Sequence, residues 1–145
     1  MNILVAIDFS PVTDSVIAEA EKLGKSSPSK IRLLHVVDPE PDFIGYEPGP
    51  QEERDFISEH IHEHRRKLHA NAENLQAKGL EVSTQCIQGP IAESILKESQ
   101  NHPTDIIIMG SHGHSAVYKL IIGGSTEEVL KNTKCPILIV PSKKD

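Results

Sequence analysis

Residues 110–126 concentrate side chains and backbone types able to bind an anion: Gly110, Ser111, His112, Gly113 and His114, then Gly123, Gly124, Ser125 and Thr126. Gly110 and Gly113 let the backbone approach a phosphate with no Cβ in the way, and they permit positive φ. Ser125 reads as a helix N-cap, and Glu128 three positions later completes a capping box. A helix start offers unpaired N–H groups and a partial positive charge, so the amides of Gly124, Ser125 and Thr126 would point into one cavity. Glu127 and Glu128 lie in the same turn and would repel a phosphate. They are expected to face away, Glu128 by joining the cap. The chemistry is recognition of a phosphate-bearing ligand, although the same glycines could serve as plain turn residues.

Other reactive side chains are scattered more widely. Asp8 ends the first apolar run, and together with His112 and His114 it could form an acid–base set around a terminal phosphate. No residue is evidently placed to position a water, so no catalytic residue is assigned and any hydrolysis is expected to be slow. The glycine loop lacks both GxxxxGK[ST] and GxGxxG. His60 and His64 stand four apart on a predicted helix and could pair on a divalent metal. With no third ligand in the segment and Arg65, Arg66 and Lys67 adjoining, they read, with His62 and His69, as a solvated face that gains charge near pH ~6. Cys86 and Cys135 have no metal spacing and read as unpaired, buried thiols.

The elements that must position these groups follow from periodicity. Apolar runs over 3–7, 31–37, 82–88, 105–109 and 137–140 read as strands, several without the alternation of a half-exposed sheet. Between them lie helical patterns. The first opens at Ser10 and Pro11, carries Val16, Ile17, Ala20 and Leu23 on one face, and stops at Gly24. A long charged helix over 51–78 has the stripe Phe56, Ile57, Ile61, Leu68, Ala72 and Leu75, with Gly79 as terminator. The third starts at Gly89-Pro90, with proline at N1 and Ile91, Ile95 and Leu96 buried. The fourth covers 127–132. Residues 39–50, rich in proline, read as irregular loop, and 115–122 as a short helical piece or structured loop. Alternation of strand and helix implies an α/β fold, a parallel sheet with helices on both faces and right-handed crossovers. Ligands on such sheets bind beyond the carboxyl ends of the strands, where the strand order reverses.

The bulk numbers agree with this reading. The chain has 145 residues, 37% apolar and 25% charged, which suits one domain over 1–145 with an ordinary globular core. A net charge of −6 argues against broad nucleic-acid binding. The apolar run at the N-terminus is too short for a membrane span or signal peptide, so a cytoplasmic protein with no membrane partner is expected.

Taken together, these motifs resemble the universal stress protein family. Its pattern G-x2-G-x9-G-[S/T] is matched by Gly110, Gly113 and Gly123, and ILVAIDFS, LLHVVD, IIIMGSHG and CPILIVP match its flanking segments. The resemblance implies an open five-stranded parallel sheet of order 3-2-1-4-5, Rossmann-like and akin to the adenine-nucleotide alpha hydrolases. It implies an adenine-nucleotide site: Ala6, Asp8 and Met109 beside the ligand, Val36 on the adenine, and Gly110, Ser111, His112, Gly113, His114, Gly123, Gly124, Ser125 and Thr126 around ribose and phosphates. The cofactor would be ATP, or AMP or ADP, with Mg2+ or Mn2+, and Asp8 would reach that metal only indirectly through the phosphates. A homodimer joined by antiparallel pairing of Ile137, Leu138, Ile139 and Val140 is also implied. This describes a nucleotide-dependent sensor or switch in a stress response. The alternatives are an interaction protein of the same fold without a nucleotide, and a weak ATPase. Two positions depart from the pattern: Gly124 stands where the family has Ser or Thr, and Ala6 where some nucleotide-binding members have proline.

Overall fold

The computed structural model describes residues 1–37, 50–111 and 124–142. The chain runs β1 (Asn2–Ala6), α1 (Thr13–Ser26), β2 (Lys30–Val37), α2 (Pro50–Ala77), β3 (Glu81–Gln88), α3 (Ile91–Asn101), β4 (Ile106–Gly110), α4 (Gly124–Asn132) and β5 (Ile137–Val140). The strands form one parallel sheet in the order β3-β2-β1-β4-β5, as the resemblance implied.

Burial explains why the central strands are apolar at every position. Ile3 and Val5 face one side and Leu4 the other, and all three are buried. On the first side Ile3, Val5, Ile31, Leu33 and Ile108 pack with Val16 and Ala20 of α1 and Leu68, Ala72 and Leu75 of α2. On the second side Leu4, Leu34, Val36, Ile107 and Met109 pack with Ala92 and Ile95 of α3 and Val129 of α4. A strand covered on both faces has no polar position to alternate with.

Three local expectations are corrected. Gly24 does not end α1, which runs to Ser26 with Thr13, Val16, Ala20 and Gly24 as its buried stripe. A Cβ at Gly24 would lie 2.9 Å from Ile31 Cδ1 and 3.2 Å from Leu80 Cδ2, so this glycine serves close approach of helix to sheet. Pro90 is the N-cap of α3 in extended conformation rather than its first helical residue. The buried face of α3 is therefore Ala92, Ile95 and Glu98, while Ile91 is exposed. Gly79 does terminate α2, with φ +89°. The expectations for 39–49 and 115–122 fall outside the described residues.

Candidate functional site

The strand order reverses between β1 and β4, because β2 and β3 lie on one side of β1 and β4 and β5 on the other. This opens a crevice at the carboxyl ends of those two strands. The pairing runs Val5↔Ile108, and the same register continued beyond the strands brings Asp8 level with Ser111. Ala6 packs against the side of the sheet that carries Val36 and Met109. Ala6, Val36 and Met109 therefore share the face covered by α3 and α4.

The turn after β1 is tightly specified. Asp8 Oδ1 accepts the Ser10 N–H at 3.0 Å, and Phe9 between them has φ +61°, a backbone conformation unfavourable for a bulky residue. Ser10 Oγ and Thr13 Oγ1, which follow directly at the start of α1, are buried with no hydrogen-bond partner among the described residues.

On the β4 side, Thr126 decides the arrangement. Its buried hydroxyl donates to the Gly110 carbonyl at 2.9 Å, which fastens the first turn of α4 to the end of β4. The helix begins at Gly124, so Ser125 lies within the first turn and not at the N-cap. Gly123, like His112, Gly113 and His114, lies outside the described residues. Ser111 is engaged with β5: its N–H donates to the Val140 carbonyl at 2.9 Å and its Oγ accepts the Ser142 N–H at 3.2 Å. Among the described residues, a Cβ at Gly124 would meet nothing within 4 Å. Glu127 does not oppose an anion, since it pairs with Lys131 at 3.1 Å. Glu128 is exposed. The arrangement can receive an anionic group on backbone amides and the α4 N-terminus, with a carboxylate on the opposite wall.

The histidine segment departs from its reading as a solvated face. His62 and His69 are exposed, but His64 is half-buried and its Nδ1 lies 2.9 Å from Nε2 of His35. Sequence reasoning missed this pair because His35 sits in a strand that otherwise reads as core. Also missed was a partly buried polar cluster on the other face. Gln85 Nε2 donates to Glu98 Oε1 at 3.1 Å, and Arg32 donates to the Glu98 carbonyl at 3.2 Å and to Thr104 Oγ1 at 3.3 Å. Burial pushes the Arg32 guanidinium below its usual range, and the Glu98 charge opposes that shift. Cys86 and Cys135 are free thiols, both half-buried. Burial raises the Cys86 thiol, against the nearby Arg65. Among the described residues no group of three or more His, Cys, Asp or Glu is placed to hold a metal ion, and no helix is long and apolar enough to cross a membrane.

Comparison with known proteins fits this geometry. A family model described as the universal stress protein family matches residues 1–141. Universal stress protein MJ0577 of Methanocaldococcus jannaschii is 28% identical over 154 aligned positions, which cover 98% of this chain and 95% of the relative. A solved structure of the hypothetical protein MJ0577, determined for structure-based assignment of its biochemical function, superposes with a TM-score of 0.89 at 26% identity, over 99% of this chain and 97% of that one. A universal stress protein from Archaeoglobus fulgidus, solved in complex with dAMP, shares the fold at a TM-score of 0.67 and 16% identity, over 96% of each chain.

Proposed function

The chain belongs to the universal stress protein family, and from that premise we propose that it binds an adenine nucleotide at the β1–β4 crevice and acts as a nucleotide-dependent sensor or switch in a stress response. The observation that carries this is the Thr126–Gly110 hydrogen bond of 2.9 Å. It aims the α4 N-terminus at the end of β4, across the crevice from Asp8. Phosphates would lie on the backbone amides at Gly124 and Ser125, next to the Gly110–Gly113 loop, and the adenine would pack against Val36. The complex of the Archaeoglobus fulgidus relative with dAMP supports an adenine nucleotide as the class of ligand.

The residues present fit such a ligand. Among the described residues nothing lies within 4 Å of a Cβ at Gly124, and Glu127 is turned toward Lys131. Mg2+ is commonly bound through one or two carboxylates together with substrate phosphates, and Asp8 is the carboxylate that would face a phosphate-bound ion. In this reading the protein works in the cytoplasm as a homodimer formed through the free edge of β5.

A thermal-shift titration with ATP and Mg2+ tests the proposal. Ligand at about 100 times its dissociation constant should add about 2.7 kcal/mol to stability. No shift at millimolar ATP would sink it in favour of an interaction protein without a nucleotide. Phosphate release above background that disappears in Asp8→Ala would identify a weak ATPase instead.

A further inference from the structure

Behind the crevice lies a cluster of three rings, His35, His64 and Phe9, that the proposed nucleotide site does not use. His35 is 5% exposed, and its Nδ1 stands 2.8 Å from the Ile7 carbonyl. A carbonyl only accepts, so Nδ1 carries a hydrogen and the neutral ring presents its lone pair at Nε2. That lone pair faces Nδ1 of His64 at 2.9 Å, so His64 donates from Nδ1. The contact dictates both tautomers.

We propose that His35 and His64 form a proton-operated latch that ties α2 to the β1–α1 turn and so sets the geometry of Asp8. Only its last link, from Asp8 to ligand affinity, rests on the nucleotide reading.

The latch can take one extra proton and not two. With one, His64 is protonated at Nε2 and a single hydrogen still bridges its Nδ1 and Nε2 of His35. With two, N–H groups would face each other at the same short distance, and the pair must part. The two rings therefore titrate as a unit. The Phe9 ring leans on both, with its centroid 4.7 Å from that of His35 and 5.4 Å from that of His64. The imidazoles meet edge to face at 4.5 Å. Packing of this kind holds Phe9 at φ +61°, since a left-handed bulky residue persists only where its surroundings over-determine it. Asp8 precedes Phe9 directly, so parting of the histidines would remove one wall of Phe9 and release the turn that holds the carboxylate.

Charged and titratable groups surround the pair. From α2, Lys67 Nζ lies 5.6 Å from the Phe9 ring centroid and 3.3 Å from Glu63. The β1–α1 turn contributes Asp8. From β3, Cys86 is in register with His35, with Arg65 of α2 acting on its thiol. Below the ordinary imidazole range near ~6.5, an open pair binds two protons and a closed latch one. The open form then holds more protons, so the latch is favoured above that range and lost as pH falls. The open-to-closed ratio rises by up to about tenfold for each unit that the pH falls.

Nitrogen-15 NMR of the whole chain between about pH 7.5 and about pH 5 reads the tautomers. At the higher pH both rings should carry hydrogen at Nδ1, and the two titrations should be coupled. A His35 ring with hydrogen only at Nε2, or two independent titration curves, overturns the latch. The link to the site is read from ATP affinity at the two pH values. The parent should lose about tenfold more affinity on acidification than His64→Gln, whose amide still donates to His35 but takes no proton. Phe9→Gly, which removes the ring and suits the left-handed backbone, provides a second variant. It should keep the coupled titration and flatten the affinity ratio. Parent-like ratios in both variants overturn the link. Absence of ATP binding at the higher pH defeats the nucleotide reading and the link together, and the NMR result then decides the latch by itself.

Discussion

Gly124 occupies the position where the family pattern has a hydroxyl residue, and among the described residues nothing lies within 4 Å of a Cβ built there. A hydrogen bond to a charged group contributes about 1.5–3 kcal/mol. Gly124→Ser should therefore tighten ATP about tenfold or more, as read by isothermal titration, and an unchanged or weaker affinity would place the phosphates elsewhere. Two residues further along the helix, Thr126 shows the opposite case. Its hydroxyl is buried and committed to the Gly110 carbonyl, so it supports the cradle and would meet a ligand only through its backbone. Thr126→Val keeps the volume and leaves that carbonyl without its side-chain donor. Urea denaturation should show a loss of about 1–3 kcal/mol, with weaker ATP binding, because α4 is no longer fastened to β4. At this scale the sequence marked the position of Thr126 but not its task. Which of its groups faces the crevice depends on where the Gly110 carbonyl lies after folding.

Among the elements, α1 and α3 show what periodicity can and cannot determine. Val16 and Ala20 were legible as the buried face of α1. Gly24 was not, because a glycine near the end of a helical pattern reads as a terminator, whereas here it lies where the helix approaches Ile31 and Leu80 too closely for a side chain. Gly24→Leu should overpack that joint and cost about 1–3 kcal/mol in urea. A neutral or stabilising result would mean that Ile31 and Leu80 give way. The same joint is braced at the surface, where Lys25 and Lys78 both pair with Glu21, at 2.7 Å and 2.8 Å, and hold its carboxyl below the usual range. For α3, a proline beside a glycine marked the helix start but not its phase. Pro90 took the cap position, which left Ile91 exposed and turned Glu98 inward to Gln85.

For the whole molecule, the decisive feature is the place of β5 at the sheet edge, with no strand beyond it among the described residues. Ile107 N–H donates to the Pro136 carbonyl and Ser111 N–H to the Val140 carbonyl. In a parallel ladder the residues that bond to a neighbouring strand alternate, so Ile137 and Ile139 turn their backbone groups to the free edge. Val140 is 6% exposed and belongs to the core, so in the proposed homodimer its side chain would have little surface to give a partner. Pairing would fall to the outward backbone groups and the half-buried Ile137, Leu138 and Ile139. Ile139→Pro removes an outward N–H without touching the β4 ladder, and proline is tolerated at such edges. Sedimentation analysis should show a monomer with an unchanged circular dichroism spectrum. A dimer that survives the substitution would rule out this edge as the interface.

By itself the sequence determined the strand and helix alternation, the double-sided burial of the central strands, the glycine-rich motif and membership of the universal stress protein family. All of these depend on residue types at short separations along the chain. Tertiary structure decided the rest: the side of the sheet shared by Ala6, Val36 and Met109, the commitment of Ser111 to β5, the pinning of α4 by Thr126, and the meeting of His35 with His64. These contacts join residues distant in sequence, and their geometry depends on register, helix phase and crossover, which no local pattern encodes.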